Sequence, residues 1–277
     1  MPEGDTIFRA ARTLKKVLAG QVITRFETQL PHLQRLHDDA PITGRTVEDI
    51  TSHGKWITIH LSGDLILLTH MLMSGSWHVY RPGERWQHSR YDMRIVLATD
   101  KFEAVAFNVP VAEFHTTVSL RKRPGFSQLG PDVLAANFDE QQAAANLRAQ
   151  PEMEIAEALL SQRTLAGIGN VFKSEVCFAS RVNPFRKVAT LSGEEIHRLI
   201  TTARKFLKAN VINGAADQIV TYTGMRRTTR RANPQESLWV YGRGGHPCRR
   251  CGNPIQIRKQ GPGARVTFWC PNCQPTS

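Results

Sequence analysis

The chain has 277 residues, is 41% hydrophobic, and carries 36 Lys+Arg against 24 Asp+Glu, a formal net charge of +12 with a pI near 9.9. That length holds two domains, or one large domain with an appendage, and that charge suits a polyanionic partner, nucleic acid before anionic membrane. No apolar stretch approaches the ~20 residues of a spanning helix and no signal-peptide pattern opens the chain, so a cytoplasmic location is expected.

The chain starts Met1-Pro2-Glu3-Gly4-Asp5-Thr6. Removal of Met1, which a small second residue permits, leaves Pro2 as a free secondary amine beside a carboxylate. A free α-amine titrates near pH ~8 against about 10.4 for lysine, so an appreciable fraction is nucleophilic at neutral pH. Attack on a sugar aldehyde carbon gives an iminium that cannot shed its charge through nitrogen and stays an electron sink. Glu3 is then placed to trade protons as general acid or base. Taken alone, a Met-Pro start is more often mere punctuation of an exposed terminus, and the rest of the chain must decide. Ile7, Ala10, Ala11, Leu14, Val17 and Leu18 follow at helical spacing, with Asp5 and Thr6 as cap or first-turn residues. The positive end of that helix would favour an ionised Glu3 and an unprotonated amine.

From about Val22 to Val118 the pattern is β. Trp56 to Leu61 and Leu65 to Leu68 flank a Ser62-Gly63-Asp64 turn, and Tyr91 to Ala98 and Phe102 to Phe107 flank another at Thr99-Asp100-Lys101. Short, closely spaced strands imply a β-sandwich or barrel. A basic hinge, Arg121-Lys122-Arg123-Pro124-Gly125, precedes a helical regime from about Asp132 to Ala215, with a capping box at Ser192-Gly193-Glu194-Glu195. Cys177 falls in an apolar helical stretch and reads as a buried thiol. Thr221 to Pro234 is polar and carries Arg226, Arg227, Arg230 and Arg231, a solvated linker or a nucleic-acid contact.

Near the C-terminus Cys248, Cys251, Cys270 and Cys273 have the two-knuckle spacing of a tetrahedral, all-cysteine zinc site. Four thiolates leave no position for water, so one structural Zn2+ is expected. Ile255 to Ile257 and Arg265 to Trp269 read as two strands joined by Gly261-Pro262-Gly263. A ribbon this small depends on its metal for folding. Arg249, Arg250, Arg258, Lys259 and Arg265 on it form either a solvated face or, more in keeping with the net charge, a phosphate-binding one.

Pro2-Glu3-Gly4, His53-Gly54-Lys55, Gly167-Ile168-Gly169-Asn170 and the four-cysteine ribbon occur in one order. The chain resembles the formamidopyrimidine-DNA glycosylase and endonuclease VIII family of base-excision repair enzymes over nearly its whole length. The resemblance implies an α+β fold: an N-terminal β-sandwich with a leading helix over residues 1–122, a hinge over 123–133, a helix-two-turns-helix domain over 134–235 and a zinc ribbon over 236–277. It implies a monomeric DNA glycosylase and abasic-site lyase acting on damaged DNA in the bacterial cytosol or nucleoid. Pro2 would be the nucleophile at C1′, Glu3 the acid that helps open the sugar ring, and Lys55 an aid to catalysis that binds the lesion phosphate. Asn170, with free N–H groups of the helix it opens, His70 and Arg265 would hold phosphates. Met73 would be the wedge inserted where the nucleotide flips out. Glu175 would orient neighbours or sit on a helix surface.

The purine-lesion branch carries an Arg-Phe pair in the loop after a mid-domain strand, where this chain reads Val105-Ala106-Phe107-Asn108-Val109-Pro110. With no arginine there, and with Pro2-Glu3-Gly4-Asp5-Thr6 at the start, the resemblance leans to endonuclease VIII and oxidised pyrimidines. A purine-lesion glycosylase (8-oxoguanine or formamidopyrimidine) and a non-catalytic zinc-ribbon DNA-binding protein remain alternatives at this point.

Overall fold

The apolar stripe that opens the chain forms α1 (Gly4–Leu18), which buries Ile7, Ala11, Leu14, Val17 and Leu18. Its N-cap is Glu3, which makes no side-chain cap bond, and Asp5 lies in the first turn. The computed structural model describes residues 2–212, 226–229 and 237–276. Two units divide the chain, one running through Gln128 and one starting at Leu129.

In the first unit β1 (Arg25–Thr28), β2 (Val47–His53), β3 (Trp56–Leu61), β4 (Leu65–His70), β5 (Ser76–Tyr80), β6 (Met93–Ala98), β7 (Glu103–Phe107) and β8 (Val111–His115) form two antiparallel sheets, ordered β2-β3-β4-β8 and β1-β6-β7-β5. α1 packs along β2 and β3. Ile57, Ile59 and Leu67 of one sheet share a core with Ile95, Leu97, Ala104 and Ala106 of the other. Because side chains alternate along a strand, Val105 and Phe107 point the other way, into an outer cluster with Tyr80, Met93 and Val96 that Trp86 covers.

The β expectation fails at α2 (Pro31–Asp39). Proline sits in its first turn, where the missing N–H has no intrahelical partner to lose and φ is already helical. Leu33, buried, and Leu36, partly buried, give the short helix its apolar face. The run from Tyr91 likewise opens as a 3-10 turn, Arg90–Asp92, before β6 begins. A short helix, α3 (Thr117–Lys122), follows β8.

The second unit holds α4 (Glu140–Arg148), α5 (Ile155–Leu160), α6 (Asn170–Ala179) and α7 (Gly193–Ile212), then the hairpin β9 (Gln256–Gln260) and β10 (Arg265–Trp269). The capping box forms: the Glu195 N–H donates to Ser192 Oγ at 3.2 Å and the Ser192 N–H to Glu195 Oε2 at 2.8 Å. Cys177 is buried, and burial pushes its thiol up to about 12. The α+β reading holds, and no helix among the described residues is long and apolar enough to cross a membrane. Arg230 and Arg231 lie outside the described residues. Arg226 stands 5.6 Å from the Phe172 ring centre, and the Arg227 N–H donates to Asn210 Oδ1 at 2.9 Å.

Candidate active site

Strand register gathers several separate segments at one end of the first unit. His53 pairs with Trp56, closing a two-residue turn at Gly54-Lys55, with Gly54 at φ +60°, a conformation glycine adopts without steric cost. Trp56 pairs with His70, and His70 with Val111. Across the sandwich Ser76 pairs with Phe107, and Phe107 with Met93. The turn at 54–55, the 71–75 loop that leads from β4 to β5, and the 108–110 segment therefore share one end.

The helix α1 brings the N-terminus there too. Just after its C-terminus the Gly20 N–H donates to the Val47 carbonyl at 2.7 Å, at the far end of β2. Fifteen helical residues rise about 22 Å, and the seven of β2 extend about as far. Pro2 and Glu3 are thereby returned to the Lys55 end. Glu3 is fully buried, and its carbonyl accepts from the N–H groups of Thr6 and Ile7 at 2.9 and 3.0 Å. Asp5, also buried, pairs with Arg9 at 3.8 Å and accepts from the Thr6 hydroxyl at 3.3 Å.

Around the turn lies an aromatic and basic cluster. The His70 ring stands edge-on to Trp56 at 4.6 Å, and Arg123 lies over the same indole at 4.3 Å. Arg123 forks onto Glu113 at 3.0 and 2.9 Å, and that pairing holds the Glu113 carboxyl down at about 2. The basic hinge is thus fastened at Arg123 to the lysine hairpin. Burial, then the charges of Lys55 and Arg123, hold the His70 imidazole down at about 4. The Leu72 N–H donates to His70 Nδ1 at 3.0 Å. Nδ1 is the acceptor, so in the neutral ring Nε2 carries the proton.

The 71–75 loop is tight and outward-facing. Met71 is fully buried, while Leu72 is 48% and Met73 61% exposed. The Gly75 N–H donates to the Met71 carbonyl at 2.8 Å, and a Cβ on Gly75 would lie 2.6 Å from that oxygen, so only glycine closes the loop this way. Phe107 and Val109 are fully buried, and the Asn108 N–H donates to the Asp92 carbonyl at 2.7 Å.

In the second unit Gly169 is the N-cap of α6. Asn170 Nδ2 donates to the Val266 carbonyl at 2.9 Å, while its Oδ1 is buried with no partner among the described residues. Arg265, at the start of β10, is exposed. Of the other ribbon arginines, Arg249 donates to the Leu238 carbonyl, Arg250 lies over Phe178 and Arg258 over Phe185.

Glu175 is not on the helix surface. It is fully buried and accepts from the N–H groups of Trp239, Val240 and Tyr241, at 2.9, 2.8 and 2.8 Å, and from the Thr228 hydroxyl. Burial raises its pKa against the pull of those donors. It ties α6 to the segment that enters the ribbon. Lys173, which the sequence reading passed over, is also buried and donates to Thr267 Oγ1 at 2.7 Å on β10. The signal was present: charged residues inside Val171-Phe172-Lys173-Ser174-Glu175-Val176 break an apolar helix and must find partners if buried.

The ligand atoms of Cys248, Cys251, Cys270 and Cys273 all lie within 4.8 Å of one another. A tetrahedron with metal–sulfur bonds of about 2.3 Å spaces its sulfurs about 3.8 Å apart, so the cage fits a thiolate-bound metal. Cys248 and Cys270 are buried on a small core with Val240, Ile255 and Phe178.

Family models match three successive segments: the formamidopyrimidine-DNA glycosylase N-terminal domain over residues 1–110, its H2TH domain over 129–221, and the zinc finger found in FPG and IleRS over 245–276. The chain is 42% identical to the probable endonuclease 8 2 of Streptomyces coelicolor, over 99% of this chain and 94% of that one. It is 35% identical to the DNA-(apurinic or apyrimidinic site) lyase Nei2 of Mycolicibacterium smegmatis, over 100% of both. The solved complex of Lactococcus lactis Fpg with abasic-site DNA is similar with a TM-score of 0.81 at 25% identity, over 99% of this chain and 100% of that one.

Proposed function

The chain belongs to the formamidopyrimidine-DNA glycosylase and endonuclease VIII family of DNA glycosylases with abasic-site lyase activity, and from that premise we propose that it removes oxidised pyrimidines from DNA with Pro2 as nucleophile. What supports this reading is that α1, packed along β2 with its C-terminal end at Val47, directs Pro2 and the buried Glu3 toward the end of the first unit where the Lys55 turn lies.

Once Met1 is removed, the Pro2 nitrogen attacks C1′ and the C1′–base bond breaks, the base leaving with a proton. Glu3 protonates the ring oxygen, the sugar opens, and C1′ and the Pro2 nitrogen form an iminium. That electron sink acidifies C2′. Loss of a C2′ proton expels the 3′ phosphate, and a second elimination expels the 5′ phosphate. Lys55 neutralises the phosphate at the lesion. Pro2 cannot reach C1′ of a stacked nucleotide, so the nucleotide must flip out at a cost of a few kcal/mol. The exposed Met73 enters the gap and offsets part of that cost.

Two features favour pyrimidine lesions. The 107–109 segment offers no arginine and buries both of its apolar side chains, and the relatives at 42% and 35% identity bear endonuclease 8 and Nei2 names. Excision rates on duplexes holding 5-hydroxyuracil or thymine glycol are expected to exceed the rate on 8-oxoguanine by about tenfold or more, the scale of pocket discrimination. A faster rate on 8-oxoguanine would return the purine-lesion reading.

The first helical N–H groups of α6, with Asn170, Arg265 and His70, hold phosphates on a monomer working in the cytoplasm. Cys248, Cys251, Cys270 and Cys273 would hold one Zn2+ that supports the ribbon, and four thiolate ligands would leave it no part in the reaction. Arg265 and His70 should differ in kind. At pH 7.5, Arg265→Ala is expected to weaken binding to an abasic-analogue duplex and flatten the dependence of log K on log salt by about 0.9. His70→Ala should weaken binding and leave that slope unchanged, because a neutral Nε2–H contacts phosphate without releasing a counterion. Anisotropy titrations across about 50 to 200 mM salt read both; a unit change of slope for His70→Ala would mean a charged ring.

A further inference from the structure

Tyr91 is 89% exposed and makes no ring contact among the described residues, yet the backbone that carries it is held on several sides. The Tyr91 N–H donates to Ser89 Oγ at 3.2 Å, and its carbonyl accepts from Arg94 Nη1 at 2.8 Å. Gln29 Nε2 donates to the Arg90 carbonyl at 3.1 Å, and the Asp92 carbonyl accepts the Asn108 N–H at 2.7 Å. With the backbone already held, only the tyrosine side-chain rotamers remain to be ordered on binding.

Its position limits what it can meet. Tyr91 stands two residues before Met93, and Met93, Phe107 and Ser76 lie side by side on adjacent strands. Two interstrand spacings, about 10 Å, separate the start of β6 from the start of β5, where the loop bearing Leu72 and Met73 ends. Between the two, the 107–109 segment buries both of its apolar side chains, Phe107 in the outer cluster and Val109 in the inter-sheet core. The exposed apolar side chains flanking this segment are thus Leu72 and Met73 on one side and Tyr91 on the other.

A flipped nucleotide leaves a hole in one strand and an unpaired base in the other. A single wedge from the 71–75 loop fills the hole but gives the orphan base no aromatic face. We propose that Tyr91 stacks on the base left unpaired opposite the excised nucleotide, so that the protein favours duplex over single-stranded DNA without reading which base is opposite. This rests on the glycosylase reading above. Stacking is tolerant of base identity because every base presents a π-face, so a tyrosine suits a lesion-directed enzyme that meets any orphan base.

The test compares wild type, Tyr91→Ala and Tyr91→Phe on a tetrahydrofuran-site duplex with 2-aminopurine opposite the site, and on the tetrahydrofuran strand alone. Tyr91→Ala is expected to lower the duplex-to-single-strand affinity ratio about 5- to 100-fold, by a similar factor for each opposite base, and to abolish quenching of the 2-aminopurine. Tyr91→Phe, which keeps the ring, should retain the ratio and the quenching. An unchanged ratio in Tyr91→Ala, or an equal loss on both substrates, overturns the proposal. Failure of wild type to form a borohydride-trapped adduct with abasic DNA would instead overturn the glycosylase reading, so the two failures are distinguishable.

Discussion

Borohydride added to the mature protein and abasic-site DNA is expected to trap a covalent adduct at Pro2, and a chain that keeps Met1 or an uncleavable extension is expected to give none. Acylation of the proline nitrogen by a preceding residue removes the lone pair that must attack C1′, while every contact elsewhere stays in place. Loss of the nucleophile should lower base excision by about 10^4-fold or more. Glu3→Gln separates proton transfer from shape: Glu3 is fully buried, the amide is isosteric, and losing a positioned proton donor costs about 10^2- to 10^4-fold in rate. Lys55→Ala should retain an adduct, formed more slowly. Mass spectrometry of the trapped N-terminal peptide locates the bond, and an adduct that disappears only on changing Lys55 would move the nucleophile there.

Local chemistry was legible in the sequence, and long-range juxtaposition was not. The capping box of α7, the strands flanking Ser62-Gly63-Asp64 and the four-cysteine spacing each depend on neighbours within about 25 residues, and each appears where residue pattern put it. α2 escaped because its Leu33 and Leu36 are too few for a helical period to stand out inside a β-rich stretch. Exposure misled at one point: Glu175 allowed a surface reading but is the buried acceptor of four hydrogen bonds. The return of the α1 N-terminus to the Lys55 turn follows from the hydrogen bond between Gly20 and Val47. No periodicity encodes such a tertiary contact; the family resemblance alone pointed to Pro2 and Lys55 as one site.

Removal of the metal is expected to unfold the ribbon and to take DNA binding with it. Strands of five residues are too short to stand as an isolated hairpin, whereas a structural zinc supplies about 10–16 kcal/mol of apparent folding free energy at neutral pH. The damage should not stop at the hairpin. Asn170 Nδ2 loses the Val266 carbonyl and the buried Lys173 loses Thr267 Oγ1, which strips the first turn of α6 of the contacts that fix it. Gln274, whose Oε1 accepts the Cys270 N–H while its Nε2 donates to the Val182 carbonyl, is released as well. Chelation, or Cys270→Ala, should therefore weaken binding to abasic-analogue DNA by about a hundredfold or more, since the phosphate contacts proposed for Asn170 and Arg265 would go together. Metal analysis of the intact protein should return one zinc per chain, and limited proteolysis of the stripped protein should cut within residues 245–276. A catalytic metal would behave differently: its loss would depress the rate while affinity and protease resistance persisted, and that result would overturn a structural role for the cage.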